Sequence, residues 1–473
     1  MKLTRRSFAA GVLLAPAILR GARAALPPLP NIAADDASFA LPGTALYEST
    51  LPAYNLRTEL RPALRILART ARGMRQSVHW LREKSLPFAL RSGGHSFEGL
   101  SQSASVVLDT RLMNAISLDT KQSLLTVGAG ASLGAIYRYV GPRGFAFPGG
   151  SCPTVGISGH AMGGGFGLMA RERGLACDSL AAADLVDANG EAQTADVRQN
   201  PELFWALRGG GGGTFGAATQ LQFAIAPVGT MWVYSASWAL PLKQAVALFA
   251  AWQDWAGDAP DAITGIFKVS KRSDGRIALH AAGQSTGTAV EVRREMKALT
   301  DTAEPSNRLT VTAMSYLAAV NHFAGGWGYE SSYSKGKSDY VTRPLGAAGI
   351  EALLGGLAAL PANEVIAICD AYGGALDRTP GDATAFAYRK GTEFCIQYYT
   401  SWSSPAAGQR RTQDLRQLYA AMRPYSGGAY VNYCDLDLDD WQTAYWRQNL
   451  ARLKAVKAQI DPDGVFRHAQ SVR

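Results

Sequence analysis

The chain has 473 residues, with six histidines and five cysteines, and only a few of these eleven side chains stand where chemistry could use them. Cys152 and His160 fall inside Phe147–Gly167, FPGGSCPTVGISGHAMGGGFG, which holds eight glycines in twenty-one residues. Glycine at that density marks backbone that passes close to something bulky, or φ values closed to other residues. A shorter version of the theme, Arg91-Ser92-Gly93-Gly94-His95-Ser96, lies upstream with an imidazole of its own. Thiolate and neutral imidazole are both nucleophiles. The two segments are expected to form the bed of one large cofactor, with Cys152 and His95 bonded to it. Taken alone, a single cysteine in an apolar run is more often inert and buried, and His95 more often an ordinary loop residue. His79, His280, His322 and His468 have no comparable context and are assigned no role. No C-x-x-C or H-x-x-H spacing occurs, so no metal site is expected.

The elements that must position these residues follow from periodicity. Arg61 to Lys84 reads as a helix, with Leu64, Leu67, Ala68, Ala71, Val78 and Leu81 near a 3.6-residue repeat. Pro87 to Leu90 reads as a strand running into the Arg91–His95 loop. Val106 to Asp109 and Leu124 to Val127 are further strands, and Leu133 to Val140 is a helix leading into the glycine stretch. Downstream come a strand at Ala181 to Asp187, a helix at Pro201 to Leu207 and five consecutive glycines, Gly209 to Gly213. Gly211-Gly212-Gly213-Thr214-Phe215-Gly216 formally fits the dinucleotide pattern G-x-G-x-x-G. A Rossmann unit needs strand before and helix after, whereas here a helix precedes and a strand, Leu221 to Ala226, follows, so NAD binding is rejected. Past Pro227 the glycine clusters thin out. Strands are expected at Trp232 to Trp238, Ile263 to Val269, Val365 to Cys369 and Glu393 to Tyr399, with helices at Ala245 to Ala256 and Ala289 to Leu299. Aromatic residues collect at Trp327, Tyr329, Tyr333, Tyr340, Tyr398, Tyr399 and Trp402, the composition of a substrate-facing domain. A terminal helix is expected over Asp440 to Gln459.

Composition narrows the class. At 47% hydrophobic and 18% charged residues the chain is an ordinary folded protein, long enough for two domains. Its net charge of +9 includes Lys2, Arg5, Arg6, Arg20 and Arg23, and nine less five leaves +4 without them. The remaining basic residues are scattered, so no nucleic-acid partner is expected. Thr4-Arg5-Arg6-Ser7-Phe8, the apolar run Ala9 to Leu19 and the small-residue site Ala22-Arg23-Ala24 read as a twin-arginine signal over residues 1–24. The run is too short, and too broken by Pro16, for a membrane anchor. The mature chain is therefore expected to be exported, periplasmic or extracellular, with no membrane partner after cleavage.

Several stretches together resemble the berberine-bridge-enzyme-like oxidases, a branch of the vanillyl-alcohol-oxidase (PCMH-type) flavoproteins. They are Leu90 to Ser96, Gly150-Ser151-Cys152-Pro153-Thr154-Val155-Gly156, Gly159-His160, Gly174 to Asp178 and Leu203 to Gly212, then Tyr430-Val431-Asn432-Tyr433 and Asp461 to Arg467, in order along nearly the whole mature chain. The resemblance implies an α+β architecture: a PCMH-type FAD-binding domain from both chain ends (25–230 and 425–473) around an inserted α+β substrate domain with an antiparallel sheet (231–424). It implies FAD bonded through both His95 and Cys152, and a pyrophosphate held by the loop of Arg91, Ser92, Gly93, Gly94 and Ser96, with Gly150, Gly156 and Gly159 in the second glycine segment. His160 matches a position that hydrogen-bonds around the flavin. Val155 matches the position that controls oxygen access, where valine goes with oxidases.

The family pattern also places Tyr430 and Tyr433 against the flavin. In carbohydrate-oxidising relatives the last tyrosine is the base, and Asp370 stands where an assisting acid is expected. A phenol with a pKa near 10 needs such help at neutral pH. Gln397 matches a strand position where alkaloid-oxidising members place a glutamate, and a glutamine cannot accept that proton. The expected function is oxidation of an alcohol or hemiacetal carbon, in a carbohydrate or oligosaccharide, with hydride passing to the flavin and O2 reduced to hydrogen peroxide. The alternative is an oxidase or oxidative cyclase acting on an amine, a phenol or another secondary metabolite. The expected partners are a small-molecule substrate and O2, the expected assembly a monomer or homodimer.

Overall fold

The structure, a computed structural model, describes residues 26–58, 60–325 and 331–473. The signal expected at 1–24 lies outside these residues, as do Trp327 and Tyr329 of the aromatic group. Two small sheets and one large sheet organise the chain. The first has strands Ala37–Ala40, Leu64–Ala68, Val106–Asp109 and Phe88–Arg91 side by side, the last three mutually parallel. The second is antiparallel and runs Ile116–Asp119, Leu124–Gly128, Ala217–Ala224, Leu180–Val186, Ala192–Asp196.

The third sheet has seven antiparallel strands in the order Asn307–Met314, Met231–Leu240, Ile277–Ser285, Ile263–Lys271, Val365–Ala371, Phe394–Trp402, Tyr333–Val341. One of its faces is apolar (Phe267, Val269, Ala367, Cys369, Ile396) and packs against helices Leu242–Asp258, Ala289–Thr302, Ala347–Ala359 and Gly408–Met422 in a single core. Period-two alternation sends the intervening residues to the opposite face. Register partners share a face, so Ile266 with Asp370, Lys268 with Ile368 and Ile368 with Gln397 all stand together on that second face. The C-terminal segment returns beneath it, and Tyr340 N–H donates to Gly427 O at 2.9 Å.

Three expectations need correction. The helix expected over Arg61 to Lys84 is a strand, Leu64–Ala68, followed by a helix, Ala71–Glu83. All five strand residues, Arg65 included, are buried, as an interior strand with parallel pairing requires, and without an alternating polar face so short a stretch is not distinguished from a helix. Thr70 then caps the helix, its hydroxyl accepting from Gly73 N–H at 3.0 Å. The terminal helix is split into Trp441–Trp446 and Leu450–Ile460, because Arg447 takes φ 45° and ends the first segment. Tyr340 and Tyr398 are not substrate-facing: both are fully buried, Tyr340 stacked on Tyr388 at 3.7 Å and Tyr398 bonded to Asp339 at 3.2 Å.

Candidate active site

A cavity of 510 Å³ lies between the two small sheets and the second face of the large one. Arg91, Ser92, Gly93, Gly94, His95, Ser96, Gly150, Cys152, Val155, Gly156, Gly159, His160, Asp370, Gln397, Tyr430 and Tyr433, all chosen from sequence, stand on its wall. The five-glycine run contributes too, through Gly211, Gly212 and Gly213, between a helix and a strand as its order in the chain requires. His468, assigned no role from sequence, also lines the cavity, with its imidazole lowered to about 4 by burial. His79 and His280 lie elsewhere, one facing Glu191 and the other Ser237. Among the described residues no cluster of His, Cys, Asp and Glu could hold a metal ion, and no helix is long and apolar enough to cross a membrane.

One wall is the meeting of the two glycine segments. A Cβ on Gly93 would lie 2.2 Å from Gly156 N, so only glycine lets these backbones touch. Ser92 Oγ donates to Ala129 O at 2.9 Å and fixes the loop. His95 stacks on Tyr54 with ring centroids 4.3 Å apart, and its Nε2 is 2.9 Å from Thr154 Oγ1. Burial and, secondarily, the nearby Arg91 lower the imidazole to about 4, so it is neutral at pH 7. Cys152 is half-buried while the other four cysteines are buried, and its Sγ is 3.6 Å from the same Thr154 hydroxyl. His160, also lowered to about 4 by burial, accepts from Gly150 N–H at 3.1 Å.

Beneath this wall the charge is unbalanced. The single buried carboxylate of Asp109 faces Arg65 at 2.5 Å, Arg111 at 2.9 Å and Arg91 at 4.0 Å. Three guanidiniums against one carboxylate leave positive potential below the Ser92–Ser96 loop. A cavity of this size, glycine-lined and backed by surplus cations, fits a dinucleotide whose pyrophosphate is anionic.

The opposite wall carries the proton chemistry. Asp370 faces the Tyr433 phenol; burial raises Asp370 to about 7, with Lys268 and the Tyr433 hydroxyl pulling the other way. Burial, and then the facing Asp370, push the Tyr433 phenol well above its ordinary range. Tyr430 O accepts N–H bonds from Gly165 at 2.8 Å, Phe166 at 3.2 Å and Asn432 Nδ2 at 3.0 Å, while burial raises its phenol. Gln397 lies one strand away from Asp370, in register with Ile368. A base relayed to a buried carboxylate, next to a neutral amide, can take a proton from a hydroxyl and store it.

Sequence reasoning missed Lys268, Tyr54 and the part played by Thr154, and named Tyr399 only as one of an aromatic group, of which it is the member that reaches the cavity wall among the described residues. Lys268 stands exposed at the cavity rim and Tyr399 half-buried beside Gln397. Lys268 shares the face of Ile266 by simple alternation, but only the pairing of its strand with Val365–Ala371 brings it to Asp370. Asn432 and Thr154 were inside quoted motifs and lacked only a partner to give them meaning.

The comparisons agree with this construction. Residues 62–196 match the family model described as an FAD binding domain, and residues 429–473 the one described as berberine and berberine like. The FAD-linked oxidoreductase YgaK of Bacillus subtilis is 31% identical over 424 residues, 88% of this chain and 92% of its own. A monolignol oxidoreductase of Arabidopsis thaliana is 32% identical, covering 82% of this chain and 79% of its own. Among solved structures, BBE-like 1 of Physcomitrella patens superposes with a TM-score of 0.86 at 28% identity, over 93% of this chain and 97% of that one. Berberine bridge enzyme of Eschscholzia californica gives 0.79 at 26% identity, over 90% and 91%. With a cavity built for a dinucleotide and relatives matched along almost its full length, the chain belongs to the berberine-bridge-enzyme-like FAD-linked oxidoreductases.

Proposed function

We propose that the protein is an oxidase carrying FAD bonded through both His95 and Cys152, which oxidises an alcohol or hemiacetal carbon of a carbohydrate or oligosaccharide. The observation that carries this reading is the placement of Tyr433 and the buried carboxyl of Asp370 together on the cavity wall, with Gln397 rather than an acid on the neighbouring strand. FAD, when bound, takes up the hydride and delivers the electrons to O2 as hydrogen peroxide. The chain's part is proton handling and placement. Tyr433 accepts the substrate hydroxyl proton while passing its own to Asp370, so the phenol never has to hold full charge in a buried site. The Arg91–Ser96 loop binds the pyrophosphate, and His160 and Gly150 shape the bed beside Cys152. Val155 leaves space for oxygen. Tyr430, clamped by three N–H donors, holds the Gly165–Phe166 backbone against the site.

A second reading is oxidation of an aromatic alcohol or phenol. The monolignol oxidoreductase relative favours it, as do the aromatic rings of Phe97, Phe166 and Tyr399 on the wall. Peroxide release measured over mono- and oligosaccharides, aromatic alcohols, phenols and amines separates the two. Turnover confined to aromatic alcohols or phenols refutes the carbohydrate reading. Export through the twin-arginine route is proposed on Arg5-Arg6. Changing both to lysine should leave the precursor in the cytoplasm, and unchanged export would overturn that assignment.

A further inference from the structure

One hydroxyl serves both side chains of the expected flavin linkage. Thr154 Oγ1 lies 2.9 Å from His95 Nε2 and 3.6 Å from Cys152 Sγ. Thr154 stands behind the cavity wall that His95 and Cys152 line. Its backbone is anchored on every side. Gly134 N–H donates to Pro153 O at 2.8 Å, Leu133 N–H to Val155 O at 2.9 Å, and Val155 N–H closes a turn on Cys152 O at 3.4 Å. The turn is therefore bolted to the first residues of helix Leu133–Val140, and the hydroxyl has a fixed address.

A hydroxyl has one proton to give and lone pairs to accept with, so it can accept from one neighbour while donating to the other. We propose that Thr154 is the positioning residue for covalent flavin attachment: its hydroxyl orients the His95 ring and the Cys152 thiol toward the cofactor and relays the proton each gives up on bonding. The inference rests on the bicovalent reading above. Forming each link removes one hydrogen from the side chain and one from a flavin carbon, and makes one nitrogen–carbon or sulfur–carbon bond. O2 takes both hydrogens and the electron pair as hydrogen peroxide, so atoms and electrons balance. The neutral state of His95 suits it both to attack carbon and to receive a proton passed through Thr154.

The test compares wild type, Thr154→Val and Thr154→Ser, each purified as holoprotein from flavin-replete cells. Acid precipitation separates chain-bound from released flavin, and peptide mass mapping assigns bound flavin to the His95 and Cys152 fragments. In Thr154→Val, which keeps the shape and loses the hydroxyl, the doubly linked fraction should fall below about a tenth of wild type, as when a reacting pair loses its orientation. Non-covalent yellow colour retained at neutral pH shows that the variant is folded; if it does not accumulate, Thr154→Ala takes its place. Thr154→Ser should restore double linkage. Full double linkage in Thr154→Val, or a deficit equally deep in Thr154→Ser, overturns the proposal. A wild-type chain that itself releases its flavin in acid refutes instead the bicovalent reading on which it stands.

Discussion

Replacing Asp370 by asparagine keeps the shape of the side chain while removing the group that titrates. In the wild type, burial holds this carboxyl at about 7 against the 3.8 of an ordinary aspartate. The site needs the carboxylate, because only the ionised form can receive the Tyr433 proton. Wild-type kcat/KM should therefore rise with pH through an apparent pKa near 7, a value that belongs to the Tyr433–Asp370 pair. Asp370→Asn should lose that limb and about 10²–10⁴-fold in kcat/KM, the range of a positioned proton acceptor. Stability moves the other way. A folded pKa above the unfolded one means that the folded state binds more protons between about 4 and 7, so stability is full below 4 and drains away as pH rises through 7. At about 1.4 kcal/mol per pKa unit, the window spans up to roughly 4 kcal/mol, less whatever the site relaxes. The stability gained by Asp370→Asn over wild type should grow steadily from pH 4 to pH 8. Peroxide-coupled kinetics over pH 5–9 and denaturant melts over pH 4–8 check the two arms. A variant with wild-type kcat/KM and an unchanged pH limb would refute the relay, and a stability difference that shrinks with pH would refute the assignment of a raised pKa.

Gly156→Ala isolates the close approach of the two glycine segments. Gly156 has an ordinary φ of −80°, yet its Cβ would sit 2.2 Å from both Gly93 N and Ser92 Oγ, so the variant should bind less flavin per chain, read from the visible spectrum. Val155→Leu narrows the wall beside Cys152 and should slow reoxidation by O2 in stopped-flow traces while leaving anaerobic reduction by substrate unchanged. Asp435→Asn strips the carboxylate that Lys335 and Lys337 meet at 2.5 and 2.6 Å in a fully buried cluster. Lys335 keeps Glu98 at 2.6 Å and Lys337 keeps Asp437 at 3.1 Å, so the cluster loses charged hydrogen bonds rather than all its anions; at about 1–3 kcal/mol for such a loss, the denaturation midpoint should fall.

How much of this was legible in the sequence depends on the range of the interaction. The large sheet's strands at Ile263, Val365 and Phe394 announce themselves through β-branched and aromatic residues, because that signal is local. Leu64–Ala68 does not, since a strand buried on both faces shows no solvent-facing alternation, and its one polar residue, Arg65, is turned inward to Asp109. The break at Arg447 is equally silent: a positive φ on a non-glycine residue is imposed by packing, here of Trp446, whose indole N–H donates to Gly209 O at 3.1 Å.

The site divides along the same line. His95 and Cys152 stand out because glycine surrounds them, and glycine density is written in the chain itself. What gives each its chemistry is a partner from elsewhere in the sequence: Tyr54 stacked on His95, Lys268 facing Asp370 from the neighbouring strand, Tyr433 reaching Asp370 from the far end of the chain. Asp370 alone is an acid at a strand end, and nothing in its neighbours predicts a pKa near 7; burial supplies that value, and burial comes from closing the C-terminal segment against the large sheet. The clamp on Tyr430 and the ion cluster of Lys335, Glu98 and Asp435 perform that closure: one pins the Tyr430 ring to the glycine bed, and the other ties the edge strand to the residues just after His95 and Tyr433. A motif can therefore name the acid and the base while the fold decides their proton affinities, which is why Asp370→Asn, and not the loss of any single motif glycine, is the perturbation that asks whether this arrangement does chemistry.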